Sequence, residues 1–538
     1  MATPAAPVNQ NPEKRTVVSV LIFSSRPYAS KPYRVLLFRR SEKVRTYQKK
    51  LAPIAGSVEA EDRNPLAAAW RELREETGFG SQHIELWRRG SGFEFTDESA
   101  VRGHHGEQQR GRTWKVWPFA FRLKDVVSER GDDTAKLGLN LDWEHTGCEW
   151  RDVDEIKHGK ILHDCVPKLE VTLSQLWIDP GSVLYRELEV LELDHEHGAR
   201  ELATMAVMSL LKILENLEQH AEDTAALWKD FRQQAFHLAF NSRPSMGAAI
   251  SSAIVRALKE IQPMIIAADP EAVDEAKQRL QAYVARRGEI SKQVSAQFSD
   301  FLQKSFGSKA PDQELGQRTI KILTLSASST IRAALLSALD TDKTLSVELR
   351  ILESRPLNEG AKFAEALTDE AMRRCKSGDT SHHIHDRLRI VLASDATVGI
   401  LSRGVDLVLI GADRISEAGD VSNKTGSLAA ALVSKSITNG SVSVVCISES
   451  EKIAVPGSLE EHTEEDNDEN ELTNSWQVQR PAVWNEMVTV RNIYFEWCPA
   501  ALIDHYVCED GTLSTSEIRR RSKGISDLLE EAFPFEQI

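Results

Sequence analysis

The chain has 538 residues, enough for roughly two to four domains. Its 41% hydrophobic and 27% charged residues give an ordinary globular balance, and a net charge of −15 argues against a general nucleic-acid binder, which carries a basic surface. Six cysteines (Cys148, Cys165, Cys375, Cys446, Cys498, Cys508) are scattered without a C-x-x-C pair, which argues against zinc-ribbon and disulfide-scaffold designs and fits reduced thiols in the cytoplasm or nucleus.

The opening "MATPAAPVNQNPEKR" lacks the apolar core of a secretory signal, and residues 1–13 read as a disordered leader. No apolar run approaches the ~18 residues that cross a membrane, so no membrane partner is expected. "RTVVSVLIFS" (15–24) and "YRVLLFRR" (33–40) read as strands. "LAPIAGSVEAEDRNPLAAAWRELREETGFG" then runs from strand through loop to a helix that stops at Gly78. "TWKVWPFAFRL" (113–123) reads as another strand, and "GCEWRDVDEI" as a strand followed by a helix start, closing an α+β unit over 14–165. Residues 166–195 read as a join. From 196 to 310 the apolar residues recur at three- and four-residue spacing in "GARELATMAVMSLLKILENLEQ" and in segments starting near Thr224, Gly247 and Glu271, the pattern of amphipathic helices.

From 311 to 538 the pattern changes again. "TIKILTLS", "SVELRILES", "LRIVLAS", "VDLVLIGAD" and "SVSVVCIS" are apolar on both faces, and helical segments separate most of them. That alternation predicts a mostly parallel, doubly wound sheet, so the whole is an α/β multidomain protein. "EEHTEEDNDENE" (460–471) reads as a disordered acidic loop, and "RRRSK" (519–523) as a solvated helix face in preference to a nuclear-import or anion patch.

Within the first unit, Glu72, Glu75 and Glu76 stand at i, i+3 and i+4, on one helical face, and Arg71 lies four before Glu75. Three crowded carboxylates make chemical sense around a hard divalent cation such as Mg²⁺ or Mn²⁺, which also bridges phosphate oxygens. The stretch 56–79 resembles the Nudix box, G-x5-E-x7-R-E-U-x-E-E-x-G-U, on Gly56, Arg71, Glu72, Leu73, Glu75, Glu76, Gly78 and Phe79. Asp62 occupies the place of the first glutamate, and one extra residue lies between Asp62 and Arg71. The resemblance implies a Nudix fold over 14–165, metal held by Glu72, Glu75 and Glu76, an orienting role for Arg71, and hydrolysis of nucleoside diphosphate-linked substrates. His104, His105, Arg110 and Arg112 in "GHHGEQQRGRTW" (103–114) are candidates to meet substrate phosphates.

The second half has its own dense segment, "VLIGADRISEAGDVSNKTGSLAAALVSK" (408–435). Asp413 lies just past the end of a buried strand, where open α/β sheets bind ligands. Asn423 and Lys424 precede a helix whose N-terminus suits a phosphate. "ESRPLNEGAKFA" (353–364) places Glu353 and Arg355 at the same sheet edge, and "NSRPSMG" (241–247) puts Arg243 before a helix start. With "GARELA" (198–203), "KILTLSASST" (321–330) and "FEWCPAALID" (495–504), these segments resemble the family that joins translation initiation factor 2B α, β and δ subunits with methylthioribose-1-phosphate and ribose-1,5-bisphosphate isomerases. The resemblance implies a helical subdomain followed by a Rossmann-like sheet, a sugar-phosphate ligand and a homo-oligomer. It also implies a catalytic cysteine and aspartate. Asp413 matches the aspartate, but Ser326 stands where the cysteine is expected, and a hydroxyl is a far poorer acid than a thiol. The expectation is therefore a metal-dependent Nudix hydrolase fused to a sugar-phosphate-binding, oligomerising domain without isomerase chemistry. The alternatives are a bifunctional hydrolase and isomerase, or an initiation factor 2B-like regulatory subunit with an inactive Nudix fold.

Overall fold

A computed structural model of the chain describes residues 13–24, 33–97, 112–124, 137–195, 197–267, 270–310, 317–375, 384–457, 467–476, 478 and 484–537. Residues 1–12 of the expected leader, the His104–Arg110 part of the candidate substrate loop and residues 460–466 of the acidic segment lie outside these; Glu13, expected as the leader's last residue, begins a strand. The chain divides into two compact units: Met1–Leu188 with Arg232–Asn241 and Phe533–Ile538, and Glu189–Phe231 with Ser242–Ala532.

The first unit is built on a mixed sheet whose central strands, Glu13–Phe23 and Arg112–Leu123, run parallel to each other. Arg34–Arg40 and Ile54–Ser57 pair antiparallel with the first, and Ile84–Arg89 and Phe93–Asp97 with the second. His145–Asp152 pairs antiparallel with Arg34–Arg40. Side chains alternate across a strand, and Glu13–Phe23 uses both faces. Val18, Val20 and Ile22 pack with Ala68, Ala69 and Leu73 of the helix Pro65–Thr77. Leu21 and Phe23 pack with Val153, Ile156, Leu169 and Leu173 from helices on the opposite side. The stretch 166–195, expected as a join, carries the helices Leu169–Ser174 and Val183–Leu193, and the first of these supplies core residues to the unit. Its apolar spacing is too short to stand out as periodicity. The end of the chain also belongs to this unit. Glu536–Gln537 adds a parallel edge strand to Phe93–Glu94, and the Phe535 ring packs edge-on to Trp117 at 4.6 Å. It fills the space where a Cβ on Gly92 (φ +88°) would stand.

The second unit begins with long helices, Ala199–Glu218, Gly247–Ile266 and Pro270–Phe306. They lead into a seven-stranded sheet among the described residues, in spatial order Leu388–Ala393, Leu345–Leu352, Arg318–Leu325, Leu407–Ile410, Ser443–Ile447, His505–Cys508 and Gly511–Leu513. Every pairing is parallel except the last. The strand order reverses between Arg318–Leu325 and Leu407–Ile410, which makes their carboxyl ends the topological switch point. A small antiparallel sheet, Arg414–Ile415, Val421–Lys424 and Phe495–Cys498, sits beyond that edge. The acidic segment is not a loop throughout. Its described end starts the helix Glu469–Thr473, capped by Asp468, and Glu471 accepts hydrogen bonds from Asn492 and Tyr494. Within "RRRSK", Arg519 and Arg520 are exposed on the helix Thr515–Ala532, while Ser522 is buried and donates to the Ala454 carbonyl. No described helix is long and apolar enough to cross a membrane.

Candidate functional site

The helix Pro65–Thr77 is specified locally at both ends. Asn64 accepts the Ala67 N–H at 2.9 Å, Pro65 starts the first turn, and Gly78 closes the last in the left-handed region at φ +75°. Ala68 and Ala69 let the helix lie close on the sheet, which turns Glu72 and Glu76 inward; they are 9% and 4% exposed. Gly56 leaves room opposite them: a Cβ there would lie 1.9 Å from the Glu72 carboxyl carbon, so the carboxyl would have to move.

Arg71 organises the acidic turn. It donates to both oxygens of Asp62 (3.1 and 2.9 Å), to the Ser57 carbonyl (2.9 Å), to Glu72 Oε1 (2.7 Å) and to Glu75 Oε2 (3.1 Å). Asp62, although shorter than the glutamate of the box pattern, takes Arg71 in a two-point grip and also accepts the Glu59 N–H. Its hydrogen bond to Arg71 holds its carboxyl below the usual range. Burial pushes Glu72 up, with Arg71 opposing it. Glu76 lies within hydrogen-bonding reach of Glu72, and burial together with the charges of Glu72, Glu144 and Asp142 pushes it up to about 10. Glu76 Oε2 is buried without a hydrogen-bond partner among the described residues, 3.4 Å from His145 Nδ1. Burial lowers His145 to about 4, so it is neutral there at pH 7.

Two buried carboxyl groups side by side, one with an orphaned oxygen, have the donor set and the charge deficit that a hard divalent cation satisfies. The expectation that all three glutamates of the turn converge is met only by Glu72 and Glu76. Glu75 is drawn outward to Arg71, with its side chain 58% exposed, and among the described residues no three carboxylate or imidazole groups already share one point. The turn faces a cavity of about 590 Å³ lined by Arg15, Arg40, Arg45, Arg112 and Glu144, with Tyr47, Phe95, Trp114 and Trp143 among its aromatic residues. Arg112 is thus the described member of the candidate phosphate loop that lines this cavity. Arg40, Glu144 and His145 were not legible as site residues. The pairing of His145–Asp152 with Arg34–Arg40 brings them to Glu76, and no local motif encodes that register.

The second cluster lies at the switch point. Ser326 follows the strand Arg318–Leu325 with φ +62°. Its hydroxyl donates to Glu359 Oε2 at 3.1 Å, and Glu359 Oε1 pairs with Lys424 Nζ at 3.1 Å. Asp413 is driven up by burial, which Lys452, Lys424 and Arg243 oppose. Lys452 donates to the Ala412 carbonyl at 2.8 Å and pairs with Glu449 at 3.1 Å. Glu449 is fully buried, which would raise its pKa, yet Lys452 and the Thr330 hydroxyl hold it at about 2. Asn423 donates to Ser427 at 2.9 Å, and Arg243 donates to the Asp194 carbonyl at 2.9 Å.

Two expectations change here. The helix Ser427–Ile437 does not offer an open N-terminus, because Glu496 Oε1 accepts the N–H groups of Gly426 (2.6 Å) and Leu428 (3.0 Å). Arg355 gives its side chain to Ser475, and Glu353 contributes backbone bonds to Ala393 and Gly360. The space between Arg355, Glu359, Lys424 and Tyr494 is only about 20 Å³, the room of a single water. Glu359, Glu449, Lys452 and Glu496 were not singled out in the sequence. Glu359 lies inside the quoted "ESRPLNEG", where its pairing with Lys424 was the missing information.

Comparison with known proteins finds a family match in each half of the chain. The model of the NUDIX domain family matches residues 13–169, and that of the initiation factor 2 subunit family matches 195–375 and 379–515. A curated methylthioribose-1-phosphate isomerase from Schizosaccharomyces pombe is 28% identical over 83 residues, 15% of this chain and 19% of the relative, so the match spans about a fifth of that protein. Among solved structures, the Pyrococcus horikoshii translation initiation factor eIF-2B is 18% identical, covering 61% of this chain and 96% of that one, with a TM-score of 0.42. The 5-methylthioribose 1-phosphate isomerase of the same organism is 17% identical over 64% and 88%, with a TM-score of 0.44. A chain of the tetrameric eIF2B-beta2-delta2 complex of C. thermophilum is 14% identical over 64% and 95%, with a TM-score of 0.41. On the family matches, the chain belongs to the initiation factor 2 subunit family and carries an N-terminal hydrolase domain of the Nudix kind.

Proposed function

We propose that the first unit is a divalent-cation-dependent pyrophosphohydrolase of nucleoside diphosphate-linked substrates. The observation that carries this reading is the buried Glu72–Glu76 pair with its orphaned oxygen, facing a large arginine-lined cavity. Glu72 and Glu76 would hold Mg²⁺ or Mn²⁺, with Glu75 as the third carboxylate of the turn. When bound, such a cation neutralises diphosphate charge and makes a hydroxide available near neutral pH. The chain's own residues do the rest. Asp62 fixes Arg71, and Arg71 fixes the carboxylate of Glu72. Arg15, Arg40, Arg45 and Arg112 place cationic groups around the cavity for the phosphates. The raised proton affinity of Glu76 keeps a proton on the pair at neutral pH, and that proton must leave before the pair can act as ligands.

The C-terminal half is proposed as a sugar-phosphate-binding module that joins copies of the chain, without isomerase chemistry. Arg243, Lys424 and Lys452 around Asp413 support an anionic ligand. Ser326 supports the absence of isomerisation, since a serine hydroxyl is a far poorer proton donor than a thiol.

The test of the hydrolase is a phosphate-release screen over nucleoside diphosphate sugars, dinucleotides and coenzyme diphosphates with Mg²⁺ or Mn²⁺. Turnover should vanish in Glu72→Gln and Glu76→Gln with the fold intact; unchanged turnover in both would remove the assignment. For the second module, ribose phosphates should raise the melting temperature of the wild type and not of Asp413→Ala. Light scattering should show at least a dimer rather than a 60.1 kDa species.

A further inference from the structure

Ile84–Arg89 and Phe93–Asp97 run one after the other along the same edge of Arg112–Leu123, both antiparallel to it, and the ladder breaks between them. Arg89 pairs with Phe119 and Phe93 with Val116, so Gly90–Gly92 passes Pro118, which has no N–H to give. The Gly90 N–H bonds the Pro118 carbonyl at 3.0 Å, and the backbone groups of Arg89 and Gly92 find their partners elsewhere. Two buried amide side chains supply them. Asn241, 8% exposed, accepts the Arg89 N–H at 2.7 Å and donates to the Arg89 carbonyl at 2.9 Å. Gln175, 4% exposed, accepts the Gly92 N–H at 2.8 Å and donates to the Gly92 carbonyl at 3.3 Å. Each amide therefore pairs with one residue in both directions, as a neighbouring strand would. His237, lowered by burial to about 3 and so neutral at pH 7, accepts from Asn241 Nδ2 at 2.7 Å and sets the orientation of that amide.

The last residues of the chain cover the same break. A Cβ on Gly92 would lie 2.6 Å from the Phe535 ring, so the glycine leaves a notch that this ring fills. Phe535 is edge-on to Trp117 at 4.6 Å, and Lys115 Nζ lies 4.1 Å from its centroid. Phe533, two residues earlier, is edge-on to Phe236 and Phe240 at 5.3 and 5.9 Å. The Phe240 ring in turn lies 5.4 Å from the Arg89 guanidinium. Glu536–Gln537 then adds its backbone to Phe93–Glu94. Gln175, Asn241 and Phe533–Gln537 all lie outside 13–169, the stretch that matches the NUDIX family model.

These groups hold one wall of the cavity. Phe93 and Phe95 line it and pack with Val17 and Val116, on the sheet face away from the helix Pro65–Thr77, against which Val18 packs. Asp97, at the far end of the strand, accepts the Tyr47 hydroxyl at 2.6 Å and stands opposite Arg112, and both Tyr47 and Arg112 line the cavity. We propose that Gln175, Asn241 and Phe535 are positioning residues of the hydrolase, and that the notch at Gly92 with the edge of Phe93–Asp97 is a binding site for an extended peptide with aromatic side chains two residues apart, filled by the chain's own C-terminus. The proposal rests on the hydrolase reading and names the distant segments that complete that site.

The experiment uses the chain shortened by residues 533–538 and a synthetic peptide of that sequence, FPFEQI. By calorimetry the shortened chain should bind the peptide and the wild type should not, because its own tail holds the site. The Phe535→Ala peptide should bind at least about tenfold more weakly. Inorganic pyrophosphate probes the cavity without turnover. Its affinity should fall about fivefold or more in the shortened chain and return on saturation with the peptide, and by linkage pyrophosphate should tighten peptide binding by the same factor. Amide exchange across residues 89–97 should follow the same loss and return. A tail that only adds stability would leave pyrophosphate affinity unchanged well below the melting temperature. If the shortened chain does not fold, Phe535→Ala and Asn241→Ala in the full chain carry the pyrophosphate and exchange readouts. Three results would overturn the proposal: no peptide binding by the shortened chain, equal peptide binding by the wild type, or pyrophosphate affinity unchanged by loss of the tail or by the two point variants. A wild type that neither binds pyrophosphate nor shows cation-dependent turnover would instead count against the hydrolase reading, and the peptide measurement would still decide the docking site.

Discussion

Replacing Glu76 by glutamine should stabilise the cation-free protein while abolishing its response to cations. The Glu76 carboxyl is 4% exposed and is raised from 4.5 to about 10 in the folded chain. A carboxyl raised on folding contributes stability that is fully present below about pH 4.5 and is lost as the pH rises toward about 10. At pH 7 the loss spans about 2.5 pH units, ~3 kcal/mol at 1.36 kcal/mol per unit. Glu72 shares the titration, so the working figure is ~2–3 kcal/mol. For a unit of this size that is a shift of roughly 4–12 °C in melting temperature. Glutamine keeps the shape without the ionisation. In EDTA, calorimetric melting of Glu76→Gln at pH 8 should therefore lie above wild type, and wild type should lose stability from pH 5 to 8 more steeply than the variant. Excess Mg²⁺ should reverse the order by stabilising only the wild type. A wild-type profile in EDTA parallel to that of the variant, with no gain at pH 8, would refute the electrostatic account of this pair.

Three further outcomes are expected. Gly56→Ala drives a methyl group into the Glu72 carboxyl and should cost ~1–3 kcal/mol by denaturant unfolding and remove turnover; a fully active, equally stable variant would contradict the close approach. Glu359→Gln releases Lys424 and Ser326 from a carboxylate that stands in the place of an anion, so ribose 5-phosphate should bind more tightly than to wild type by calorimetry; weaker binding would show that Glu359 contacts the ligand instead. Phe535→Ala removes the ring that packs on Trp117 and fills the space at Gly92, and should lower the stability of the hydrolase unit by ~1–2 kcal/mol in thermal melts; an unchanged transition would show that the chain terminus adds nothing to that sheet.

What was legible in the sequence was local. Asn64, Pro65 and Gly78 define the acidic helix within fifteen residues, and the apolar runs ending at Leu325, Leu352, Ile410 and Ile447 announce a parallel sheet because both faces of those strands are largely covered, while the edge strand ending at Ala393 is apolar but only partly buried, with Leu392 exposed. What was not legible depends on partners distant in the chain. Glu76 meets His145 through strand register, Lys424 meets Glu359 across the sheet edge, and Glu496 caps a helix that begins some seventy residues earlier. The same holds for Glu536–Gln537, whose two residues carry no strand signal and pair with Phe93–Glu94 more than four hundred positions away. The acidic segment misled by composition alone, since Asp468 caps a helix and Glu471 is bound by Asn492 and Tyr494.

The most direct measurement is a calorimetric titration of Mn²⁺ into the full chain at pH 7 in buffers of different ionisation enthalpy. Because burial and the neighbouring carboxylates favour a proton on the Glu72–Glu76 pair, uptake should release about one proton per cation bound, and both binding and release should be lost in Glu76→Gln. Absence of binding by the wild type, or equal binding by the variant, would contradict the claim that this pair is built for a cation.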